Sequence, residues 1–446
     1  MSRLIRAAAL ASSLLLLAAP AALSLEPGAP QRFAQAPQQT PQQEAPAVAA
    51  PQTNAPAAPA AQTAPASGAT TTAPVAAPAA TAPAAGTAVA APQGAGGITD
   101  DTARFLAGLA PSANSPLAAL TRDAGWQAHA RFFDRAFGQL ESTQLAKVRT
   151  WSKTQLRVHS STMYYMFSGP DFLYADAFYP EATTYVLVGL EPVGQIPDIT
   201  RLPRGAVAPA LAHIASSMHT VLNFSFFITK NMSSQLSSGP LHGTAPILYV
   251  FLSRAGKTLQ GANLVNLDKD GNLQPETWGA KGAARGIKIT FSGRDGRQQT
   301  LYYFSTNLGN DGVGTSGLLP FLEKLAPGDS LIKSASYLLH GGHFSKIRDF
   351  LLAHSATILQ DDSGIPLAHF DRQKWALTAF GHYLPPLGIF PGTYQPRLAE
   401  MFAKGRSTPM DFGVGYRWRS SESNLLLAVR NSASTGGIGS STARTQ

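Results

Sequence analysis

The residues best suited to chemistry in this sequence are Ser168, Asp171, Asp176 and His340. The first two frame the turn Ser168-Gly169-Pro170-Asp171, where glycine supplies backbone freedom and proline fixes φ for the next segment. A chain that leaves a strand sharply exposes polar side chains at a sheet edge, where binding sites usually form. A carboxylate beside a histidine would raise the pKa of the imidazole. The pattern therefore predicts a polar site centred on this turn that includes His340.

The same stretch also has a purely structural explanation. Tyr164 to Phe167 is typical of a strand, Asp171 can cap the short helix in FLYADAF, and YVLVGL is typical of a strand covered on both faces. In this interpretation most of the aromatic residues belong to the core. In the functional interpretation, Tyr174 and Tyr179 would line a cleft instead. We expect the core role first and the site second.

Motifs that resemble metal or cofactor sites each lack an essential feature. His340 and His343 in HGGHF could share a metal, but the two glycines between them predict a turn and no third ligand accompanies them. The calcium-like loop from Asn266 requires a glutamate at its twelfth position and has Thr277 there. The glycine motif GVGTSG does not directly follow a strand of a parallel unit. The sequence thus predicts no metal and no cofactor.

Two further patterns do not predict catalysis either. Asp361 and Asp362 are adjacent in a turn, where carboxylates point in different directions and bond their own backbone. The sequence also lacks the G-x-S-x-G elbow that anchors a serine hydrolase.

The N-terminus has the layout of a secretory signal peptide, predicted over residues 1–24. Arg3 and Arg6 precede an apolar run, and Ala22-Leu23-Ser24 supplies a cleavage site of small residues. The alternative is an uncleaved anchor, because the apolar stretch approaches the ~20 residues that span a bilayer. The chain has 0 cysteines, so its stability must come from a core and not from disulfides. We predict a bacterial periplasmic or secreted protein with no transmembrane domain beyond the signal segment.

Composition divides the rest of the chain. Residues 25–98 are rich in Ala, Pro, Gln and Thr and are predicted to be disordered, either as an extended tether or as a passive leader. Residues 431–446 form a second predicted disordered tail. A globular domain is predicted over 99–430, with a lobe boundary near 231–243. The net charge of +9 is scattered, which excludes nucleic acid as a partner and favours at most a mild preference for anionic surfaces.

Hydrophobic periodicity predicts both helices and strands in the globular region. Helices are expected at 123–151, after Pro203 with a continuation through NFSFFITKNM, in SGLLPFLEKL and in FSKIRDFLLAH. Three hairpins are expected, around Arg294-Asp295-Gly296, around Asp362-Ser363-Gly364 and in FGVGYRWRSSESNLLLAVR. Hairpins require antiparallel pairing. The predicted fold class is therefore α+β, a mixed, largely antiparallel sheet with packed helices.

Several runs together resemble an uncharacterised family of exported bacterial proteins. They are FSGPDFLYADAFYPEATTYVLVGLEPVG, YYFSTNL, SASYLLH, HSATILQDDSGIP and YQPRLAEMF. The resemblance covers the region from about Thr162 to Phe402. It implies one exported domain and carries over no activity and no site residue.

The sequence favours a non-catalytic cell-envelope module that binds a glycan or a protein partner through an exposed patch. This preference follows because each catalytic pattern has a stronger structural explanation. The alternative is a hydrolase that uses the Ser168–Asp171 turn with a histidine such as His340. The sequence alone does not decide whether the protein is an enzyme.

Overall fold

The computed structural model describes residues 97–157, 160–218, 222, 239–277, 283–405 and 407–431. The predicted signal peptide, nearly all of the linker, the continuation NFSFFITKNM, most of the lobe boundary and the tail beyond Asn431 lie outside the described residues. Within those ranges, no helix combines the length and the apolar character needed to cross a membrane.

Ten strands of the described chain form a single mixed sheet. They are β1 (Thr162–Tyr165), β2 (Thr184–Gly189), β3 (Thr258–Leu267), β4 (Leu273–Pro275), β5 (Arg285–Ser292), β6 (Gln298–Ser305), β7 (Gly328–Ile332), β8 (Ser355–Gln360), β9 (Trp375–Gly381) and β10 (Asn424–Arg430). Their order in the sheet is β4-β3-β5-β6-β2-β1-β7-β8-β10-β9. The central strands β6, β2, β1, β7 and β8 pair in parallel, and the outer strands pair antiparallel. The predicted α+β class with a mixed sheet is confirmed.

Helices cover both faces of the sheet. They are α1 (Gly97–Leu106), α2 (Ala124–Leu140), α3 (Ala146–Gln155), α4 (Phe172–Phe178), α5 (Arg204–Ser217), α6 (Ala245–Arg254), α7 (Asn310–Val313), α8 (Leu318–Leu325), α9 (Ser345–His354) and α10 (Pro396–Lys404). Side chains of α1 to α6 pack into one hydrophobic cluster, and those of α7 to α10 into a second. Alternation along β1 follows this division, since Tyr165 belongs to the first cluster and Tyr164 to the second.

The predicted helices and the central strand are found where the periodicity indicated them. The helix expected at 123–151 is α2 followed by α3, joined by a π-helical turn at Glu141–Leu145. β2 is apolar along its length because helices cover it on both sides, as expected for a strand in a parallel core.

One of the three predicted hairpins is confirmed and two are wrong. β5 and β6 pair around the Arg294-Asp295-Gly296 turn as predicted. After β8, the side-chain amide of Gln360 hydrogen-bonds both the N–H and the carbonyl of Ile365, and the chain continues into a 3₁₀ helix at Leu367–His369. Ile365 thus has its backbone groups satisfied without a strand partner.

The third predicted hairpin fails for a different reason. Only β10 is a strand in FGVGYRWRSSESNLLLAVR, and the residues before it contribute one isolated bridge between Val414 and Arg417. β10 instead pairs with β8 on one side and β9 on the other. Its alternating pattern is therefore satisfied by sequence-distant strands.

The Phe172 side chain packs α4 against the sheet, and we expect its truncation to destabilise the fold. The ring is 0% exposed and packs edge-on against Tyr185 and Phe291, with ring centroids 5.1 and 5.6 Å apart. Phe172→Ala removes these contacts and leaves a cavity, so we expect it to lower the free energy of unfolding by about 3–5 kcal/mol. Denaturant titration measures the loss.

The matched control is Phe132→Ala, which removes a ring that is 41% exposed on α2. Surface substitutions of this kind usually change stability by about 0.5 kcal/mol or less. Equal losses for the two variants would contradict the packing of α4 described above.

Candidate functional site

The candidate site lies at the edge of the sheet where the parallel strands end, which we name the carboxyl edge. From β1 the chain passes through α4 to β2 on one side, whereas β7 and β8 lie on the other side and are reached through α8 and α9. α4 and α9 pack on opposite faces of the sheet. The chain therefore moves in opposite directions across the sheet from β1 and from β7. In open sheets with parallel strands, the loops that follow two such neighbouring strands lie on opposite faces, and ligands usually bind in the crevice between them. The loops that leave β1 and β7 define this crevice.

These two loops contain the unusual backbone conformations of the structure. Among the described residues, the non-glycine residues with left-handed φ values of 51–61° are Phe167, Ser334, Ser336 and Tyr337. Each such residue costs of order 1–3 kcal/mol, and strain of this kind is concentrated at ligand sites. The rings of Phe167 and Phe344 are 5.9 Å apart, so the turn after β1 meets the glycine-rich segment after β7.

A buried ion pair joins the same two loops. Lys333 directly follows β7, and its Nζ lies 2.8 Å from Oδ2 of Asp171, with side-chain exposures of 2% and 1%. The Tyr165 hydroxyl donates to the same carboxylate oxygen at 2.9 Å. The Tyr174 ring lies 4.2 Å from Nζ of Lys333. Burial, followed by the Asp171 charge, holds the pKa of Tyr165 well above its usual value, so the phenol remains a donor.

Asp361 and Ser363 bind the loop after β7 that contains Ser334, Ser336 and Tyr337, which we name the strained loop. Oδ2 of Asp361 accepts a hydrogen bond from the Ser334 N–H at 2.8 Å, and Oδ1 accepts one from the Ser363 N–H at 3.0 Å. The Ser363 hydroxyl accepts from the Ala335 N–H at 2.7 Å. Burial, followed by the neighbouring Asp362 charge, raises the pKa of Asp361 to about 7. Asp361 thus bonds its own turn, as predicted, and also the loop beside it.

Ser168 and Asp171 lie at this edge and have internal partners. The Ser168 hydroxyl donates to the Gly169 carbonyl at 2.7 Å and accepts from the Val188 N–H at 3.2 Å, which ties the exit of β1 to β2. Oδ1 of Asp171 accepts from the Tyr174 N–H at 3.4 Å. Asp171 therefore caps α4, which confirms the structural interpretation of this stretch.

Asp176 does not join the other predicted site residues. Its carboxylate lies 2.7 Å from Nζ of Lys257 and accepts from the Tyr185 hydroxyl at 3.4 Å. Tyr185 is near the start of β2, so this pair lies towards the amino ends of the parallel strands. Burial raises the pKa of Asp176 against the effect of Lys257. Tyr174 and Tyr179 are buried in the core and do not line a cleft.

His340 lies at the carboxyl edge, and it has no carboxylate partner among the described residues. Its ring packs against Tyr337 with centroids 5.2 Å apart, and within the same residues its buried Nε2 atom has no hydrogen-bond partner. Burial, followed by the charges of His369 and Arg348, lowers the pKa of His340 to about 4. The predicted rise in this pKa is wrong, since the carboxylate of Asp171 pairs with a lysine instead.

Aromatic rings lie over this polar network. Phe390 packs against Tyr337 and Tyr416 with centroid separations of 4.9 and 5.0 Å. Tyr383 stacks on Tyr394 at 5.8 Å and an interplanar angle of 24°, and Tyr394 is 50% exposed. We name these residues the aromatic patch: Tyr337, Tyr383, Phe390, Tyr394 and Tyr416.

Hydrogen bonds connect the aromatic patch to the strained loop. The Tyr416 hydroxyl donates to the Ser334 carbonyl at 2.9 Å, so Ser336 donates to that hydroxyl at 2.8 Å. The side-chain amide of Gln395 donates to the backbone carbonyl of Asp362 at 3.2 Å. The backbone N–H of Gln395 donates to the Tyr383 hydroxyl at 2.9 Å. Ser336 is exposed beside the patch.

Sequence reasoning missed Lys333 and the aromatic patch. The sequence LIKSASY contains no pattern that marks Lys333 as half of an ion pair with a distant residue. The segment HYLPPLGIFPGTYQ did carry a signal, because it concentrates aromatic residues among prolines and glycines.

Comparison of the chain with protein-family models, with curated proteins and with solved structures finds no match. Within the ranges that the structure describes, no group of three or more His, Cys, Asp or Glu side chains is arranged to hold a metal ion. The fold and the site define an α+β protein whose crevice is closed by an internal ion pair and covered by aromatic rings. The resemblance to an exported family stays a prediction.

Removing the lysine of the buried ion pair should destabilise the protein strongly. Lys333→Met leaves the Asp171 carboxylate buried without its cation, so we expect the free energy of unfolding to fall by about 3–5 kcal/mol. Adding Asp171→Asn to the same chain removes the uncompensated charge and should recover part of the loss. Denaturant unfolding of the wild type, Lys333→Met, Asp171→Asn and the double variant gives the coupling energy.

The matched control is Lys374→Met, because Lys374 lies 3.7 Å from Asp371 with side-chain exposures of 61% and 47%. An exposed pair of this kind contributes about 0–1 kcal/mol. If Lys333→Met is no more damaging than this control, the ion pair does not hold the crevice together.

The lowered pKa of His340 predicts a loss of stability in acid. The unfolded chain binds this proton near pH 6.5, whereas the folded chain binds it only near pH 4. Stability from the neutral imidazole is therefore present above pH 6.5 and is lost as the pH falls towards 4. His340→Gln should make the urea midpoint less dependent on pH across this window. His343→Gln, at an exposed neighbour, should keep the wild-type dependence.

Proposed function

We propose that this chain is a non-catalytic cell-envelope protein that binds a glycan at the aromatic patch. The observation that carries the proposal is the stacked pair of Tyr383 and Tyr394, with Tyr394 half exposed at the carboxyl edge of the sheet. Tyrosine combines a flat apolar face with a polar hydroxyl. Sugar rings present C–H groups on their faces and hydroxyl groups on their rims, so the two surfaces are complementary.

The support for the aromatic patch as a binding surface comes from its rigidity. Tyr416 is fixed by the strained loop, and Tyr383 is fixed by Gln395. Rings that are already ordered lose little conformational freedom when a ligand binds. The exposed residue Ser336 beside the patch donates its hydroxyl proton to Tyr416, so its hydroxyl oxygen can accept a hydrogen bond from a sugar hydroxyl.

The bonding of the polar residues favours binding over hydrolysis. The hydrolase alternative relies on Ser168 and Asp171, which are 5% and 1% exposed. A serine nucleophile needs a base within hydrogen-bond reach. In the part of the chain that the structure describes, no histidine is hydrogen-bonded to Ser168 or Asp171.

The envelope location rests on the sequence. The basic start, apolar run and small-residue site of the N-terminus are the layout of an export signal. The lack of cysteine and the resemblance to exported bacterial proteins agree with an envelope location.

Tyr394→Ala should weaken glycan binding without unfolding the protein. Loss of one stacking ring is worth about 0.5–1.5 kcal/mol, so we expect the dissociation constant to rise about twofold to twelvefold. Purified peptidoglycan sacculi are the probe, with insoluble cellulose in parallel, and the bound fraction is measured against protein concentration. Phe132→Ala, which removes an exposed ring on α2, should bind like the wild type.

Two results would count against this function. Equal binding by the wild type and Tyr394→Ala would show that the aromatic patch is not the contact surface, and no binding to either solid would remove the support for a glycan. Release of soluble reducing sugars that is lost in Ser168→Ala would favour the hydrolase alternative instead.

A further inference from the structure

The helical layer formed by α2 and α3 carries a concentration of positive charge. Between Arg122 and Arg157 the sequence has seven basic and three acidic residues, a net charge of +4 out of +9 for the whole chain. The basic residues are Arg122, Arg131, Arg135, Lys147, Arg149, Lys153 and Arg157. Nearly half of the net charge therefore lies on this short part of one layer.

Most of the acidic residues in this segment are already paired. Asp134 lies 2.8 Å from Arg254, and Glu141 pairs with Arg149. Five exposed cations of this segment have no carboxylate ion pair among the described residues: Arg122, Arg131, Arg135, Lys153 and Arg157. Their charge is directed to solvent and is available to an external anion.

An aromatic side chain lies among these cations. Phe132 is 41% exposed, whereas Phe133 and Phe137 on the same helix are buried in the core. Arg131 and Arg135 are one helical turn apart on the outward side of α2, and Phe132 lies at its margin. The apolar face of α2 is buried in the core, so its outward side offers a membrane surface cations for anionic headgroups and one aromatic ring for the apolar boundary.

We infer that this basic face, made of Arg131, Phe132, Arg135, Lys153 and Arg157, docks onto an anionic lipid bilayer. Each cation near an anionic surface strengthens the attraction, and the field decays within a Debye length, so docking depends on salt. Phe132 adds an apolar contact with the bilayer, whereas a soluble polyanion has no apolar region that the ring could contact. The basic face belongs to the helical layer of α2 and α3, whereas the aromatic patch lies at the carboxyl edge of the sheet. The inference is therefore independent of the proposed glycan site.

The test is co-sedimentation of the exported full chain with phosphatidylcholine vesicles, with and without phosphatidylglycerol. We expect binding to the anionic vesicles that weakens with added salt. Arg131→Gln with Arg135→Gln should reduce the affinity about tenfold or more at low salt, because each cation contributes to the attraction. All variants carry the same N-terminal segment, so its own affinity for lipid cancels in the comparison.

The matched control is Arg372→Gln with Lys374→Gln, which removes the same charge from an exposed loop before β9. This control and Tyr394→Ala should bind the vesicles like the wild type. Phe132→Ser should weaken binding to vesicles but not to dextran sulfate. Equal losses in the two double variants, or no effect of Phe132→Ser on vesicle binding, would overturn the inference in favour of general attraction to polyanions.

Discussion

The buried ion pair of Lys333 and Asp171 fixes the centre of the sheet. Asp171 caps α4 after β1, and Lys333 is the first residue after β7, so one 2.8 Å contact joins the exits of the two central strands. Neither charge can stay buried without the other, because an unpaired ion in the interior costs several kcal/mol. Tyr165 and Tyr174 complete the pair with a hydroxyl and a ring face.

The strained loop and the aromatic patch depend on this arrangement. Ser334 follows Lys333 directly, and its N–H is held by Asp361 at the end of β8. Its carbonyl in turn accepts from Tyr416 in the aromatic patch. The position of the Tyr416 ring is therefore set through a chain of bonds that starts beside the buried charges.

The sequence predicted those features that depend on neighbouring residues. The periodicity of α2 and α9, the apolar run of β2 and the turn between β5 and β6 are local signals, and each is found in the structure. The parallel pairing of β1 with β7 was not predictable, because nothing near either strand specifies a partner so distant in sequence. The strand β10 was predicted, but its pairing was wrong for the same reason, since its partners β8 and β9 precede it by long segments.

The same division applies to the candidate site. The capping role of Asp171 is local and was foreseen, whereas its ion pair with Lys333 depends on how β7 is placed. The pKa of His340 was predicted in the wrong direction because it depends on which groups surround the folded imidazole. The aromatic patch combines Tyr337, Tyr416 and the segment after β9, so its rings become neighbours only in the folded sheet.

The position of β1 between β2 and β7 has a consequence for how the chain folds. β2 follows β1 closely, but β7 is separated from β1 by five strands along the chain, β2 to β6. Closing such a long loop is slow, since its entropy is lost before the parallel contacts form. Until then β1 presents an open hydrogen-bonding edge, which is a template for aggregation. A nascent chain that ends before β7 would therefore depend on a chaperone or on continued synthesis to stay soluble.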